Sequence, residues 1–492
     1  MKVATPFHFL KRPAAAVTAL LCAALSAQAA TIVVTSRDPA GVGFNDTTSV
    51  DPVGGNPGTT LGAQRWNVYQ RVAQIWGAAL QSNVTITVNA GWEALDCNAT
   101  AATLGSAAPW NYWHDFDGGV PGTWYPQALA NKLAGINLSE GQPDDGSGFG
   151  NVDIVTQFNV NLGKTGCLDG TPFYLGLDGK AGSQVNFMIT LLHELGHGLG
   201  FSINFTNSAT GQRVLADASA YAPVGSNEGL PSIWETFMYD NTLGRTWLNT
   251  SGDAERKASS VNNLNLAWNG PNAVAGYAQL TGAALRVSTP AQGTPSAFSF
   301  GQAAFGPAVS VPMALGNVVD TASQACAPLA ANSLKGKVAV IDRGNCPFVG
   351  KAKVAQDAGA VGVIIVNNAP GVAPGMSGAD ATVVIPTVSV SQADGATLRT
   401  MITAAVKYGS RSTPGMVNAS LGLDGRVKTG ADAGGRPLLF APNPYVAGSS
   451  VSHWDVSAFP NLLMEPAINA DLTNNLVAPW DLTLPLLKDL GW

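Results

Sequence analysis

One stretch restricts this chain more than any other: Gln184-Val-Asn-Phe-Met-Ile-Thr-Leu-Leu-His-Glu-Leu-Gly-His-Gly-Leu-Gly-Phe201. It contains His193-Glu194-Leu195-Gly196-His197, the pattern H-E-x-x-H. Val185, Met188, Ile189, Leu192, Leu195 and Leu199 recur at spacings of three and four, the stripe of a helix packed on a core. Gly200 stands where a left-handed residue ends such a helix. His193 and His197 then share one face, a turn apart. They offer two imidazole nitrogens to one ion, and a catalytic zinc takes three protein ligands and a water. Glu194 is placed to take a proton from that water as it attacks a carbonyl carbon. Three fixed positions match by chance in about 1% of chains this long. The helical context and the extension to His-Glu-x-x-His-x-x-Gly-Phe make chance the weaker reading. The fold must therefore supply a buried helix that delivers two histidines to a cleft.

The 492 residues allow about two to four domains. Charged residues are 12% of the chain, about half the usual share, and 56 Gly with 30 Pro predict many loops. A net charge of -6 argues against a nucleic-acid partner. Residues 1–29 read as a secretory signal. Lys2, Lys11 and Arg12 lead, an apolar run too short for a membrane span follows, and Ala27-Gln28-Ala29 is a small-x-small cleavage site. The mature chain is expected to start at Ala30 with a charge of -9. Cys22 is discounted as a lipid anchor because Leu21 precedes it where a small residue is needed. No later stretch is apolar enough to cross a bilayer, so no membrane partner is expected. The expectation is a secreted monomer, extracellular or periplasmic. Four cysteines remain after the signal, an even number for an oxidising compartment. Three connectivities are open; sequence order and the domain boundaries below favour Cys97–Cys167 and Cys326–Cys346.

Residues 31–35 and 84–88 read as strands and 64–80 as an amphipathic helix with Trp66, Val72, Ile75, Trp76 and Leu80 inward. In the loop between 38 and 60, Asp38, Asn45, Asp46 and Asp51 are candidates for structural Ca²⁺, although such residues usually serve turns. Trp110, Tyr112, Trp113, Phe116, Trp124 and Tyr125 read as packing rather than a substrate wall. Residues 151–159 read as a strand, a candidate to pair with an extended substrate. A helix is expected over 231–239. From 286 to 416 the texture changes. Strand 337–341, helix 348–359 and strand 360–366 make a parallel βαβ unit with a right-handed crossover. Strand 383–385 and helix 392–402 follow. Asp342-Arg-Gly-Asn-Cys-Pro347 does not fit G-x-G-x-x-G, so no nucleotide site is expected there. A short helix over 481–491 closes the chain.

Cys326-Ala-Pro, Leu334-Lys-Gly-Lys-Val-Ala-Val-Ile-Asp-Arg-Gly-Asn-Cys-Pro-Phe348 with Lys351, Ala358-Gly-Ala-Val-Gly-Val-Ile-Ile-Val-Asn-Asn368 and Ile385-Pro-Thr-Val388 resemble the protease-associated (PA) domain. The resemblance implies a module without chemistry of its own that gates or recognises protein substrates. Its two cysteines match a disulfide common in secreted members. Ser452-His-Trp-Asp455 and Leu463-Met-Glu-Pro466 resemble the distal zinc-ligand and Met-turn segments of metzincin peptidases, the leishmanolysin-like branch in particular. Taken together, the chain is similar to secreted bacterial PA-domain zinc metallopeptidases. That implies an α+β fold: a zincin-like (metzincin) catalytic domain with an inserted α/β PA domain. The expected division is a signal at 1–29, an N-terminal catalytic segment with the zinc helix at 30–285, a PA insertion at 286–416, and a C-terminal catalytic segment at 417–492. That last segment carries the third histidine and Met464 in the Met-turn.

The usual metzincin extension would put a histidine at 203, where Ile203 stands. The mature chain holds four histidines: His114, His193, His197 and His453. His453 lies eleven residues before Met464 and is the expected third ligand, after 255 intervening residues that the PA insertion largely explains. Glu235 is its rival, and His114 sits in the aromatic loop. The function expected is a secreted zinc-dependent endopeptidase acting on protein or peptide substrates, with Glu194 as general base. Tyr445 is the candidate oxyanion donor. One alternative is a non-catalytic secreted binding or adhesion protein with a structural zinc site; loss of Glu194 or of a ligand would mark it, and neither is seen. Another is a zinc hydrolase of non-peptide amides, against which the PA resemblance weighs.

Overall fold

The computed structural model describes residues 28–141, 150–280, 282–289, 292–371, 373–407, 417–424, 426, 429–469 and 471–492. The expected signal segment up to residue 27, Cys22 included, lies outside the described residues.

Four strands build the first sheet: β1 (Ile32–Ser36), β2 (Ile86–Glu93), β3 (Gly105–Pro109) and β4 (Ile154–Asn159), in the order β1–β2–β4–β3. β1, β2 and β4 are parallel, and β3 runs antiparallel to β4. Helix α1 (Leu61–Ala79) connects β1 to β2, and Thr60 caps it by accepting the Ala63 N–H. Helix α2 (Phe187–Gly198) carries the H-E-x-x-H residues, with Asn186 accepting the Ile189 N–H at its start. α2 lies against α1, where Trp76 Nε1 donates to Leu192 O at 3.3 Å. It also lies on β4: a Cβ at Gly198 would come within 2.3 Å of the Ile154 side chain. Helix and sheet approach this closely because that position has no side chain. Tyr69, Phe158 and Phe187 fill the space between them.

Some local expectations are corrected here. β4 is paired on both sides, so its backbone has no bonds left for a substrate; the edge strands of this sheet are β1 and β3. Trp66 points outward, 36% exposed, and rests edge-on against Phe44. The expected helix over 231–239 is a 3-10 turn, Ile233–Thr236, followed by the strand Met238–Asp240. Glu235 folds back onto Ser232 there, and the strand pairs with Leu266–Trp268. Residues 383–385 stay outside the sheet. Pro386 has no N–H to give a ladder, and the strand starts at Thr387.

A second, eight-stranded sheet is built from β5 (Ala283–Ser288), β6 (Ser296–Phe298), β7 (Gly301–Gln302), β8 (Met313–Asp320), β9 (Val338–Asp342), β10 (Gly362–Val366), β11 (Thr387–Val390) and β12 (Asn418–Leu423). Their order is β6–β5–β12–β8–β9–β10–β11–β7. The two edge strands, β6 and β7, are separated by only two residues, so the sheet must curl until its edges are neighbours. Helix α3 (Phe348–Asp357) links β9 to β10, which are parallel, as expected. Helix α4 (Gln392–Lys407) follows β11. Ala283 lies opposite Leu423 in the antiparallel β5–β12 pair, so this stretch is entered and left at one place.

Residues between 30 and 277 share one apolar core with residues between 439 and 490, while residues between 285 and 421 form two cores of their own. The last helix, α5 (Thr483–Leu490), sends Leu486, Leu487 and Leu490 into the shared core. Both favoured disulfides are present, Cys97–Cys167 and Cys326–Cys346. The fold is mixed α/β. No helix among the described residues is long and apolar enough to cross a membrane.

Candidate metal centre

His193 and His197 project from α2 towards His453, which arrives from the far end of the chain. His197 Nε2 is 3.1 Å from His193 Nε2 and 3.2 Å from His453 Nε2. Each ring's other nitrogen faces a backbone carbonyl: His193 Nδ1 with Leu463 O at 2.7 Å, His197 Nδ1 with Phe201 O at 2.7 Å, and His453 Nδ1 with Ser449 O at 2.9 Å. A carbonyl oxygen only accepts, so each Nδ1 carries the proton and donates it. Every Nε2 is then a bare lone pair, and three lone pairs meet with no proton between them. They repel unless a cation sits among them, so the donor set fits a metal that favours neutral imidazole.

Burial acts in the same direction. It depresses His193 to about 4, and depresses His453 to about 3 with help from His193 nearby. Burial and then the two neighbouring rings hold His197 well below its ordinary value. All three are neutral near pH 7, as ligation requires. They form the one group of three possible ligands found among the described residues.

Glu194 lines the same cleft. Burial raises its carboxyl to about 8, against the opposing pull of the Ala107 amide on edge strand β3. A dication at the three Nε2 atoms would draw that value down by attraction.

Met464 lies directly beneath α2. A Cβ on Gly196 would stand 2.7 Å from Met464 Sδ, so the glycine inside H-E-x-x-H is what lets the methionine approach. The turn holding Met464 is tied on several sides. Trp454 N–H donates to Met464 O at 2.8 Å, and Leu463 N–H donates to Asp481 Oδ2 at 2.7 Å. Leu463 therefore links the buried Asp481 to His193. In the sequence Asp481 reads only as a helix start; it stands two residues before the helix, where the Thr483 N–H donates to its Oδ1 at 2.6 Å. Its second bond has no sequence signature.

The other candidates lie elsewhere. Glu235 is fully buried and held by Arg213, with Nε at 2.9 Å and Nη2 at 2.7 Å from Oε2, and by Thr206 at 2.5 Å on Oε1. His114 Nδ1 is 2.6 Å from Asp115 Oδ2, and its Nε2 is 2.9 Å from Ala216 O. The aromatic residues around it pack on one another, as Trp124 does on Phe205 and His114, and none lines the cleft. Tyr445 bonds Ser208 through its hydroxyl at 2.7 Å and is not part of the cleft wall. In the loop considered for Ca²⁺, Asp38 accepts the Phe44 and Trp92 N–H groups and Asp46 pairs with Arg65. The cleft itself has a volume of about 890 Å³ and is walled by β3, by the approach to α2, and by the segments around His453 and after Met464.

A family model described as the PA domain matches residues 305–398. Leucine aminopeptidase 2 of Arthroderma otae is 43% identical over 68 residues, 14% of this chain and 14% of that protein. Minor extracellular protease Vpr of Bacillus subtilis is 32% identical over 131 residues, 24% of this chain and 15% of that protein. The chain thus spans about a seventh of the length of the curated relatives it matches. Among solved structures, the zinc aminopeptidase BSAP from Bacillus subtilis aligns at 22% identity and a TM-score of 0.21, over 30% of this chain and 31% of that one. Likeness at that level carries no argument about the residues around the cleft.

Proposed function

We propose that the chain is a secreted, zinc-dependent endopeptidase of metzincin-like construction. His193, His197 and His453 hold the metal, Met464 forms the floor of the Met-turn, and residues 286–416 are an inserted PA domain. The observation that carries this reading is the meeting of three unprotonated Nε2 atoms beside Glu194 at an open cleft. A structural zinc is closed by four protein ligands, whereas a catalytic one keeps a position free. Three ligand residues gather among the described residues, which favours catalysis over a binding or adhesion protein with a structural zinc. Bound there, Zn²⁺ would supply Lewis acidity to a water and to the scissile carbonyl.

The chain's own groups do the rest. Glu194 accepts the proton of the attacking water at its carboxylate and returns it to the leaving amine. The three carbonyls at Leu463, Phe201 and Ser449 hold each imidazole in one tautomer. β3 offers its unpaired edge to an extended peptide, which fits cleavage within a chain. The relatives' names, an aminopeptidase and an extracellular protease, support a peptide substrate, and the disulfides support export. The direct test is casein hydrolysis. Activity should vanish with a chelator and return with zinc. Hydrolysis indifferent to the chelator would overturn the zinc reading, and zinc binding without hydrolysis of any protein would favour the non-catalytic one.

A further inference from the structure

Lys351, on α3, is the one lysine fully buried among the described residues. Its Nζ donates to Gln324 O at 2.5 Å and stands 3.7 Å from Cys326 Sγ, one half of the Cys326–Cys346 disulfide. No carboxylate of the described residues forms a salt bridge with it. Asp342 attracts it from further off and is itself paired with Arg399, with Nη2 2.8 Å from Oδ1. A buried cation bonded to a carbonyl and a sulfur lacks the anion that burial ordinarily demands. A thiolate on Cys326 would be that anion. The disulfide is also open to solvent: Cys326 is exposed and Cys346 half-buried. The Cys97–Cys167 pair differs on both counts. Cys167 is buried, and the donor facing its sulfur is the neutral amide of Asn159, 3.5 Å away.

From this we infer that Cys326–Cys346 is a thiol–disulfide exchange site for small external thiols, with Lys351 holding Cys326 as the leaving thiolate. The external thiol first gives its proton to water. Its thiolate attacks Cys346 Sγ, the bond to Cys326 breaks, and the electron pair leaves on Cys326 Sγ beside the Lys351 ammonium. The product is a mixed disulfide on Cys346. A second external thiolate, attacking the external sulfur of that mixed disulfide, releases Cys346 and carries away the oxidised thiol. A neighbouring ammonium lowers a thiol's pKa, and the sulfur of lower pKa leaves faster. Attack is thereby directed to Cys346. Exchange opens the link between the loop after β8 and the turn before α3. No described residue between 286 and 416 lines the metal cleft, so the site is separate from the proposed peptidase chemistry.

The test uses the full-length folded protein in glutathione, quenched with acid at intervals, with cysteine peptides mapped by mass spectrometry. Cys326–Cys346 should open at least about tenfold faster than Cys97–Cys167, and the early glutathione adduct should sit on Cys346 rather than Cys326. Lys351→Met should slow the opening at least about tenfold, while Lys351→Arg keeps most of the rate. A further readout isolates the thiol. In Cys346→Ser, alkylation of Cys326 should titrate below the ordinary value of about 8.5, and adding Lys351→Met should raise that midpoint. Should the Lys351 variants fail to fold, the rate ratio and the adduct position in the parent protein still decide. Opening no faster than at Cys97–Cys167, an early adduct chiefly on Cys326, or rates indifferent to Lys351→Met would each overturn the inference.

Discussion

At the scale of single residues, each group in the cleft has a distinct task that substitution can separate. Glu194→Gln removes a proton acceptor and leaves the three imidazoles in place. It should bind zinc like the parent and lose at least about two orders of magnitude in kcat, the lower range for general acid–base catalysis. Near-parental turnover would rule out the base. His453→Ala should lose zinc and activity together, whereas His114→Ala should keep zinc, because His114 is bonded to Asp115 and Ala216. Metal content measured on the purified variants decides this, and zinc retained by His453→Ala would contradict the ligand set. His193, Glu194 and His197 are legible in the sequence because one helical turn relates them. His453 is legible only through the Met464 segment downstream and the shortage of other histidines. Asp481 is not legible. Its bond to the Leu463 N–H joins positions eighteen apart that no single helix or strand contains.

At the scale of elements, the Met464 turn is the most demanding piece, because it buries carboxyls beside one another. Glu465 is raised to about 9, chiefly by burial and further by Asp471, Asp455 and Asp481 nearby, while the Leu462 N–H opposes this. The folded chain thus keeps a proton that the unfolded chain releases near its ordinary value of about 4.3. Binding more protons when folded makes stability fall as pH rises between those two values, and the contribution is fully lost above the folded one. Glu465→Gln keeps the shape and has no proton to lose. Its Tm should fall less steeply between about pH 5 and 9 than the parent's, with the greatest gain at the alkaline end. An unchanged slope would place the pH dependence in another group. Helices α1, α2 and α3 are legible from apolar periodicity. Strand β3 is not: Gly-Ser-Ala-Ala-Pro has none of the β-branched or aromatic residues that mark strands, and it is held by pairing with β4.

On the scale of the whole molecule, the proposed division is a catalytic body assembled from the two ends of the chain and an inserted PA domain. The insertion is legible because its βαβ texture and its motifs differ from what surrounds them. The curl of its sheet is not, since it depends on which strands become neighbours. Limited proteolysis should release a stable fragment close to residues 286–416 that keeps the Cys326–Cys346 disulfide. Progressive degradation without such a fragment would contradict the division. The central claim, that three distant histidines make one catalytic zinc site, is tested most directly by anomalous diffraction at the zinc edge from crystals of the zinc-loaded protein. One strong peak is expected about 2.0–2.1 Å from the Nε2 atoms of His193, His197 and His453, with an open fourth position facing Glu194. A peak held by Glu235 or His114, or a fourth protein ligand closing the site, would contradict it.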